Sequence, residues 1–585
     1  MRRSWVAACA LAVACSQPAA PNAVGHPAPA TQQGSRTLTI IGTNDLHGAL
    51  DRLPLLGGFI ANVRAARQAD GGAVLLLDAG DMFQGTLESN LAEGADVVRA
   101  YNQLGYAAVA IGNHEFDFGP AGPDVIAKSI EDDPRGALRQ RVAEAHFPFL
   151  VSNIADEKTG ARIKWQNMPA SILLEVGGTM VGIVGASTES TPYTTMPANF
   201  LGLKMMTPTA AAITREARAL RARGAQVIVV TAHIGSACQD LANPNDTSSC
   251  KKNEEVFQVI SDLPKGLVDV WIGGHTHAAI AHRINGIAVI ESYSSGRAFG
   301  RVDLRVTDSH VSGVTIHPPL VMCPLDKDDN PVPVAQCKPA DYENRPVAPD
   351  LAVQKIVDDA MVRTSKLRDE KLGVTLTAVM TKAYALESAE GNWLTDLMLA
   401  AQPDAQVAMT NGGGLRADIP AGALTYGRLY EAVPFDNRFA VIELEGKHIR
   451  RLLAKNLQRG SGIYSWGGLT AKARCKNGVL AVDIKVRGKP LADTATYKLV
   501  TSDFLASGGD VSAIGRLKLP ASAIHVTDVI IRDAIADVLR KKQGKVDPAQ
   551  YFSPTRKRLD YEGSRPVLCQ TASPAKPIGS AQEPD

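Results

Sequence analysis

Five segments of this chain each pass from a short apolar run directly into side chains that bind metal ions. The apolar runs are residues 38–41, 74–77, 108–111, 227–230 and 268–272. The polar residues that follow them are Asp45, His47, Asp78, Asp81, Asn113, His114, Asp117, His233, His275 and His277. In open α/β sheets, ligand sites form beyond the carboxyl ends of the strands. We therefore expect these five loops, which lie far apart in the sequence, to converge on one metal site.

The residue types in these loops indicate the chemistry of that site. Carboxylate, amide and imidazole groups suit divalent ions such as Zn²⁺, Mn²⁺, Co²⁺, Fe²⁺ or Mg²⁺. The loops contain enough ligands for two ions, which one carboxylate could bridge at a separation of roughly 3.5–4 Å. Such a pair activates water and stabilises the attacking and leaving oxygens of a phosphoryl transfer. A lone histidine such as His233 is more often a local hydrogen-bonding residue, so the prediction depends on the five loops together.

Two stretches of alternating strand and helix patterns divide the chain. Residues 36–322 show the first alternation, which is typical of an α/β domain. Residues 323–372 combine a segment rich in proline and aspartate with a polar connector helix, which we predict over 350–372. A second alternation over 373–562 predicts another α/β domain. The composition of the tail, residues 563–585, is typical of disorder.

The first residues have the pattern of an exported protein. Two arginines precede a short apolar run that ends at Cys15, as in a secretory signal peptide. A cysteine after small residues is similar to a bacterial lipoprotein cleavage site, although Ala12 stands where such sites prefer leucine. We predict a signal peptide over 1–15, lipid attachment at Cys15 and a flexible tether over 16–35, which places the protein in the periplasm or at the cell surface. A plain signal peptide that is cut nearby would also produce this pattern.

Composition excludes several classes of partner. The formal net charge of +2 gives no indication of a nucleic-acid partner. Past the first residues, no apolar run approaches the roughly 20 residues that a membrane-spanning helix needs. We therefore expect the protein to contact a membrane only through its N-terminal anchor. We also expect it to be a monomer.

Six cysteines follow Cys15, and an even number in an exported chain favours disulfides. The short separations favour Cys238–Cys250 and Cys323–Cys337, which leaves Cys475–Cys569 by elimination. Six cysteines allow 15 pairings, so the remaining combinations stay open. The segment between Cys238 and Cys250 directly follows His233, and we expect it to shape the mouth of the site.

The motifs together resemble those of a known enzyme family, the calcineurin-like metallophosphoesterases. The motifs that carry the resemblance are Asp45-x-His47, Gly80-Asp81-x-x-x-Gly85, Gly112-Asn-His-Glu115, His233 and Gly274-His-Thr-His277. The longer motif over residues 112–119 is similar to the branch of 5′-nucleotidases, UDP-sugar hydrolases and 2′,3′-cyclic phosphodiesterases. The resemblance covers nearly all of residues 36–561. It implies a four-layer α/β/β/α metallophosphoesterase domain, joined by a helical linker to a second α/β domain that binds nucleotides.

The resemblance also implies a role for each motif residue. One metal ion would be held by Asp45, His47, Asp81 and His277. The second ion would be held by Asp81, Asn113, His233 and His275, so that Asp81 bridges the two ions. His114 would stabilise the transition state, and Asp117 would orient its imidazole ring. We expect Asp78 to lie behind the ligands instead of among them.

Three motifs in the second domain predict a nucleotide site. Arg416, after a run of glycines, offers a bidentate fork for a phosphate or a carboxylate. Phe435 and Phe504 come from separate loops and could sandwich a flat base, although a single phenylalanine is more often a core residue. By resemblance to the 5′-nucleotidase C-terminal domain, Asn437 would hydrogen-bond the base and Asp510 would hold the ribose.

One segment departs from the bacterial pattern. Family members have further arginines before the glycine that matches Gly391, whereas residues 381–390 contain Lys382 as their only cation. We predict an exported dinuclear-metal phosphohydrolase of the 5′-nucleotidase type, in which a metal-activated water releases phosphate from a nucleoside 5′-monophosphate. The departure keeps 2′,3′-cyclic nucleotides and UDP-sugars open as substrates. The same motifs would also fit a sulfur-bond hydrolase that uses these metals, or a surface nucleotide-binding lipoprotein without turnover.

Overall fold

The computed structural model describes residues 35–307, 310–324, 332–460, 462–512, 514–517 and 519–569. The predicted signal peptide, the lipid attachment at Cys15 and the tether up to residue 34 lie outside these ranges, as do residues 570–585. Among the described residues, no helix is long and apolar enough to cross a membrane.

The N-terminal domain alternates strands and helices. Its strands are β1 (Arg36–Thr43), β2 (Ala73–Asp78), β3 (Ala108–Ala110), β4 (Phe149–Leu150), β5 (Ile154–Asp156), β6 (Ser171–Val176), β7 (Thr179–Ser187), β8 (Leu203–Met205), β9 (Val227–His233), β10 (Val270–Ile272), β11 (Ala279–Ile284), β12 (Ile287–Ser292), β13 (Ala298–Thr307) and β14 (His310–Val321). Its helices are α1 (Leu53–Ala69), α2 (Leu87–Asn90), α3 (Ala95–Leu104), α4 (Gly136–Glu144), α5 (Thr191–Thr194), α6 (Pro197–Phe200), α7 (Thr209–Ala222) and α8 (Glu255–Ser261).

Two six-stranded sheets form the framework of this domain. The first has the order β14-β13-β1-β2-β3-β4, and β1 to β4 run parallel. The second has the order β11-β12-β10-β9-β7-β6, and β12, β10, β9 and β7 run parallel. Strands β5 and β8 form a separate pair. Because neighbouring parallel strands end at the same edge, the loops after β1, β2 and β3 share one edge, and those after β9 and β10 share another.

One hydrophobic cluster joins the two sheets, with Ile40 and Leu77 from the first packed among Ile183, Val229 and Ile290 from the second. The sheets approach closely at Gly42, where a Cβ atom would lie 2.7 Å from the Cγ2 of Ile272. Each fully buried aliphatic side chain contributes about 1.5–3 kcal/mol. The packed sheets therefore hold the two sets of strand ends at a fixed separation.

The segment before the connector helix packs on the N-terminal domain. The ring of Tyr342 contacts those of Phe59 and Phe299 at centroid distances of 5.5 and 6.0 Å. The Asn62 side-chain amide donates to the backbone carbonyl of Tyr342 at 3.1 Å. The described part of this segment is therefore fixed to the domain surface, although its composition is that of a linker.

The connector helix α9 (Leu351–Arg368) begins where the sequence predicts. Asp350 caps it by accepting hydrogen bonds from the N–H groups of Ala352 and Val353. The helix ends four residues before the predicted residue 372, because the next strand already begins at Lys371. Leu372 is fully buried in the core of the second domain, and this burial outweighs the helical pattern.

The C-terminal domain contains three sheets with helices between their strands. Its strands are β15 (Lys371–Leu376), β16 (Val407–Asn411), β17 (Gly422–Thr425), β18 (Arg438–Glu445), β19 (Tyr464–Gly467), β20 (Leu469–Lys476), β21 (Val479–Val486), β22 (Lys489–Pro490), β23 (Thr496–Ser502), β24 (Ile524–Ile530), β25 (Gly544–Val546) and β26 (Leu559–Tyr561). Its helices are α10 (Ala389–Ala401), α11 (Tyr426–Ala432), α12 (Gly446–Leu457), α13 (Asp503–Ala506) and α14 (Ile531–Lys541). The sheet orders are β17-β15-β25, β19-β16-β23-β18-β24 and β22-β21-β20-β26. The predicted class, mixed α/β with two domains, is confirmed.

The order of the five-stranded sheet explains how three separate motifs meet. Strands β16 and β23 are parallel, so the loops that follow them, with Arg416 and Phe504, leave the same edge. Strand β18 is antiparallel to β23, and Phe439 pairs with Ser502. The segment that enters β18, with Phe435, therefore lies at this edge as well.

The three predicted disulfides, Cys238–Cys250, Cys323–Cys337 and Cys475–Cys569, are all present. The prediction of disorder from residue 563 onward is wrong for the first residues of the tail. Val567 is buried, and its N–H donates to the carbonyl of Leu457 at 2.9 Å. The Cys475–Cys569 disulfide and this packing hold the described tail against the C-terminal domain.

Candidate metal centre and active site

The five strand-end loops meet at one place in the N-terminal domain. Two groups of side chains have ligand atoms within 4.8 Å of one another. The first group is Asp45, His47, Asp81 and His277, and the second is Asp81, His233 and His275. Asp81 belongs to both groups, which is the position that a bridging carboxylate requires.

The first group is compact. His47 Nε2 lies 2.9 Å from His277 Nε2 and 3.9 Å from both Asp45 Oδ1 and Asp81 Oδ2. His277 Nε2 is 3.4 Å from Asp45 Oδ1. Four donor atoms from three different loops therefore face a common centre.

In the second group, His233 Nε2 lies 3.0 Å from Asp81 Oδ2 and 3.0 Å from Asn113 Oδ1. The Asn113 amide nitrogen donates to the carbonyl of Thr194, which turns the amide oxygen toward the ligands of this group. The rings of His233 and His275 are 5.0 Å apart. Asn113 thus joins the second group, as the sequence predicts.

The backbone of these loops is strained at the candidate ligands. Five of them have left-handed φ values: Asp45 (50°), His47 (49°), Asp81 (59°), His275 (82°) and His277 (56°). Such values are uncommon outside glycine, and they concentrate at functional sites where the surrounding fold imposes them. The fold therefore holds the side chains in place at a cost in backbone energy.

Two imidazoles have the hydrogen bonds that metal-binding histidines need. His47 Nδ1 donates to the Gln84 carbonyl at 2.8 Å, and His233 Nδ1 donates to the Ala79 carbonyl at 2.9 Å. Each bond fixes the orientation of its ring and directs Nε2 toward the Asp81 carboxylate. This fixing of the outer nitrogen is typical of histidines that bind metal ions.

The electrostatics of the cluster favour a bound cation. Burial lowers the pKa of His47 and His277, and it lowers that of His275 to about 3, so these rings are neutral. Burial alone would raise the pKa of Asp45 and Asp81, but the histidines that face them hold both below the usual range. Two ionised carboxylates among neutral imidazoles and an amide oxygen are a donor set that fits divalent ions.

His233 is the exception among these imidazoles. Burial lowers its pKa, but the adjacent Asp81 outweighs burial and raises the pKa to about 10. The Asp81 carboxylate therefore favours positive charge at this position.

His114 and Asp117 form a hydrogen-bonded pair beside the cluster. His114 Nδ1 donates to Asp117 Oδ2 at 2.6 Å. The second carboxylate oxygen accepts from Thr195 Oγ1 at 2.8 Å and from the Met196 N–H at 3.2 Å. Burial lowers the pKa of His114, but Asp117, followed by Asp81, raises it above its usual value. The ring is therefore both oriented and biased toward its protonated form.

Two family models match the chain. The calcineurin-like phosphoesterase model matches residues 38–279, which contain all of the clustered candidate metal ligands. The model of the 5′-nucleotidase C-terminal domain matches residues 368–515. The chain is a calcineurin-like phosphoesterase with a 5′-nucleotidase C-terminal domain. It is accordingly a metal-dependent phosphoester hydrolase, and we call it the enzyme from here on.

Similar proteins of known name extend over both domains of the enzyme. It is 24% identical to Protein UshA of Yersinia enterocolitica, over 88% of the enzyme and 92% of UshA. It is 26% identical to the snake venom 5′-nucleotidase of Naja atra, over 88% of the enzyme and 98% of the venom protein. The crystal structure of a 5′-nucleotidase precursor from Thermus thermophilus superposes with a TM-score of 0.67 and 23% identity, covering 90% of the enzyme and 99% of that chain. This last likeness supports the fold.

A cavity of about 640 Å³ lies between the metal-ligand cluster and the C-terminal domain. On the N-terminal side it is lined by Asp81, Asn113, His114, Asp117, His275 and His277. On the C-terminal side it is lined by Arg416, Phe435, Asn437, Phe504 and Asp510. The structure thus brings all five candidate substrate-binding residues to a cavity that four of the seven candidate metal ligands also line.

Arg416 and Phe435 reach the metal-ligand cluster from the C-terminal domain. Arg416 Nη2 lies 3.0 Å from His47 Nε2, and its guanidinium carbon lies 5.7 Å from the centre of the Phe435 ring. The Phe435 ring is 5.5 Å from that of His114. Burial lowers the pKa of Arg416. A buried guanidinium next to the ligands is positioned for an anion bound there.

Phe504 lies in the short helix α13, and Asp510 follows it in a segment with an unusual backbone. A Cβ atom on Gly509 would lie 2.3 Å from the Phe504 ring, so glycine is required where the loop passes the ring. Asp510 has a φ of 55°, in the left-handed region. Burial raises the pKa of Asp510 to about 6. Both side chains are thereby held at the cavity wall.

Asp78 lies behind the cluster and belongs to neither ligand group. Its carboxylate is fully buried, and it accepts from Thr43, Tyr101 and the N–H of Gly80 at 2.6, 3.0 and 2.8 Å. Burial raises its pKa to about 7. It supports the Gly80–Asp81 turn from below, in line with the expectation from the sequence.

Sequence reasoning missed Glu115 as a structural element of the site. Its carboxylate accepts from the N–H groups of Asp81, Met82 and Gly112 at 2.9, 2.7 and 2.7 Å. It therefore ties the loop after β2 to the loop after β3. The sequence contained no signal for this role, because its partners are backbone groups.

Two cavity-lining residues, Lys251 and Glu254, directly follow the loop that the Cys238–Cys250 disulfide closes. The spacing of Cys238 and Cys250 predicted a closed loop at this position. It did not indicate that Lys251 and Glu254 would line the cavity.

Proposed function

We propose that the enzyme is an exported 5′-nucleotidase that releases phosphate from nucleoside 5′-monophosphates. One observation carries this proposal: four of the candidate metal ligands (Asp81, Asn113, His275 and His277), the His114–Asp117 pair and the five candidate nucleotide-binding residues line a single cavity. A phosphate at the cluster and a base in the C-terminal domain are the two ends of such a substrate.

In the proposed reaction, the seven ligand residues would hold two divalent ions, whose chemistry would be to supply a nucleophilic water at neutral pH and to neutralise negative charge on the phosphate oxygens. Arg416 binds phosphate oxygens through its guanidinium fork. His114 donates a proton or a hydrogen bond to the oxygen on which charge develops, and Asp117 keeps its ring in the required orientation.

The C-terminal residues bind the nucleoside. Phe435 and Phe504 stack on the base, Asn437 hydrogen-bonds its edge, and Asp510 accepts from the ribose hydroxyls. The antiparallel pairing of β18 with β23 supports this arrangement, because it brings the segment before β18, with Phe435, and the segment after β23, with Phe504, to one edge.

UDP-sugar hydrolysis is the second candidate, and two lysines of the cavity favour it. Lys251 and Lys382 line the cavity in addition to Arg416. Two such cations beyond the phosphate-binding arginine could hold a second phosphate of a diphosphate substrate.

A substrate comparison distinguishes these functions. We expect hydrolysis of AMP with a kcat/KM at least about tenfold above that for hydrolysis of UDP-glucose or 2′,3′-cyclic AMP, each followed by its own product and assayed with Mn²⁺, Zn²⁺ and Co²⁺. A preference for UDP-glucose would transfer the proposal to the second candidate. Absence of metal-dependent hydrolysis of any of the three would remove the nucleotidase proposal.

The Phe504→Ala variant tests the role of the C-terminal domain. Stacking on an aromatic ring contributes about 1–3 kcal/mol per base, so we expect the KM for AMP to rise roughly 5- to 150-fold. Hydrolysis of p-nitrophenyl phosphate, which lacks a base, should change less than about twofold. Steady-state kinetics on both substrates measure the difference. An equal effect on both would show that Phe504 does not act through the base.

Export is proposed from the N-terminal sequence and is supported by the three disulfides, which form in oxidising compartments. We further propose that Cys15 carries the lipid. The Cys15→Ser variant should move from the membrane fraction to the soluble extract of the expressing cells, as immunoblotting of the two fractions would detect. Retention in the membrane fraction would contradict the anchor.

A further inference from the structure

Strand β12 contributes no candidate ligand, yet the residues at its carboxyl end contact three of the loops that do. The N–H of Ser292 donates to Asn44 Oδ1 at 2.9 Å. The Asn44 amide nitrogen donates to the carbonyl of Tyr293 and to Asp45 Oδ2, both at 2.7 Å. These contacts fix the loop after β1. The remaining contacts come from Glu291.

Glu291 joins the loops after β9 and β10. It is fully buried, and its Oε2 accepts from the N–H of Ser236 at 3.0 Å. Its Oε1 accepts from Thr276 Oγ1 at 2.6 Å. Ser236 follows His233 by three residues, and Thr276 stands between the two histidines of the β10 loop. A single carboxyl group thus contacts two of the three loops that provide imidazoles to the cluster.

The surroundings confine this carboxyl group closely. A Cβ atom on Gly235 would lie 2.1 Å from Glu291 Oε2, so the β9 loop passes directly against it. Thr276 Oγ1 is also 2.9 Å from the Ser236 carbonyl oxygen, which closes a network between the two loops. Glu291 itself is held by the pairing of β12 with β10 and β11. This side chain therefore adds to the pairing of β9 with β10 a second link that fixes the distance between the two loops.

We propose that Glu291 is a positioning residue of the metal centre, which sets the spacing between His233 on one loop and His275 and His277 on the other. The role rests on the proposed ligand assignment. It differs from the roles of the ligands, because Glu291 acts only through Ser236 and Thr276.

A calorimetric titration of the metal-free protein with Mn²⁺ tests this role without any substrate. Loss of a group that orients metal ligands typically weakens metal binding 10- to 100-fold. We expect Glu291→Ala to weaken Mn²⁺ binding by about this factor. Glu291→Gln should restore part of the affinity, because its amide keeps the shape of the side chain and an acceptor for Thr276.

Glu255 provides a matched control. Its carboxylate also accepts from one threonine hydroxyl and one backbone N–H, Thr188 Oγ1 at 2.5 Å and Glu189 N at 3.0 Å. Neither partner lies in a loop with a candidate ligand. Glu255→Ala should therefore destabilise the fold while leaving Mn²⁺ affinity within about twofold of the unaltered protein.

Unchanged Mn²⁺ affinity in Glu291→Ala would overturn the role of Glu291. Equal weakening of Mn²⁺ binding in Glu291→Ala and Glu255→Ala would overturn it as well. If Glu291→Ala does not fold, Thr276→Val removes one half of the link with little change in shape, and it should weaken Mn²⁺ binding at least about threefold. Absence of Mn²⁺ binding by the unaltered protein would instead overturn the ligand assignment itself.

Discussion

Replacement of Asp81 by asparagine is expected to reduce phosphate release from AMP by at least about 10³-fold. Asp81 is the one side chain that belongs to both ligand groups, and its Oδ2 faces His233 at 3.0 Å and His47 at 3.9 Å. Asparagine keeps an acceptor for the His114 N–H, which Oδ1 binds at 2.8 Å, but it removes the charge that a bridging ligand supplies. Loss of a group that only hydrogen-bonds a metal ligand typically lowers metal affinity or activity 10–100-fold. Loss of the carboxylate that would bridge the two ions should therefore lower activity further.

Asp269 is the matched control for this variant. It is a partly buried aspartate at the opposite end of β10, where it accepts from Arg221 and from the N–H of Ile228, both at 2.7 Å. Asp269→Asn should lower thermal stability and leave kcat within about threefold. Steady-state kinetics and metal analysis of both purified variants make the comparison. If Asp81→Asn retained more than about a tenth of the activity, Asp81 would not bridge two ions.

The His114→Ala variant is expected to lose about 10²- to 10⁴-fold in kcat while the KM for AMP and the metal content stay close to those of the unaltered enzyme. The physical reason is that His114 contacts Asp117 and Phe435 but belongs to neither ligand group. Metal analysis separates this loss from that of Asp81→Asn. A His114→Ala variant without metal would mean that the ring holds the ligands in place and does not act on the substrate.

The Asp117→Asn variant gives a pH test of the same pair. The pKa of His114 is raised because Asp117, followed by Asp81, outweighs the lowering effect of burial. A raised pKa means that the protonated form exists below it and is lost as the pH rises through it. If protonated His114 is the active form, kcat falls on the alkaline side, and removal of the Asp117 charge moves that fall to lower pH. An unmoved alkaline limb in the kcat–pH profile would contradict the role of Asp117.

The sequence was sufficient to predict the convergence of the metal-binding loops, because two simple regularities combine there. A run such as residues 227–230 is recognisable as a buried strand, and parallel strands end at a common edge. The three disulfides were predictable in the same way, from cysteine spacing in an exported chain. These predictions depend on local pattern and on one general rule of sheet geometry.

Contacts between distant segments could not be predicted. The Arg416–His47 approach joins residues in different domains, and no local pattern records it. Glu291 resembles any polar residue near a strand end until β12 is placed beside β10. Leu372 fits the pattern of the connector helix, and only the core of the second domain shows why it belongs to a strand. Tertiary packing decided each of these positions.

The clustered side chains are proposed to hold two divalent ions that are required for phosphate release from a nucleotide. Titration of the metal-free enzyme with Mn²⁺, with AMP hydrolysis and bound metal measured in the same samples, tests this claim most directly. We expect activity to return with about two ions bound per chain, and we expect Asp81→Asn neither to bind both ions nor to recover. Full AMP hydrolysis by metal-free enzyme, or metal binding in Asp81→Asn equal to that of the unaltered enzyme, would contradict it.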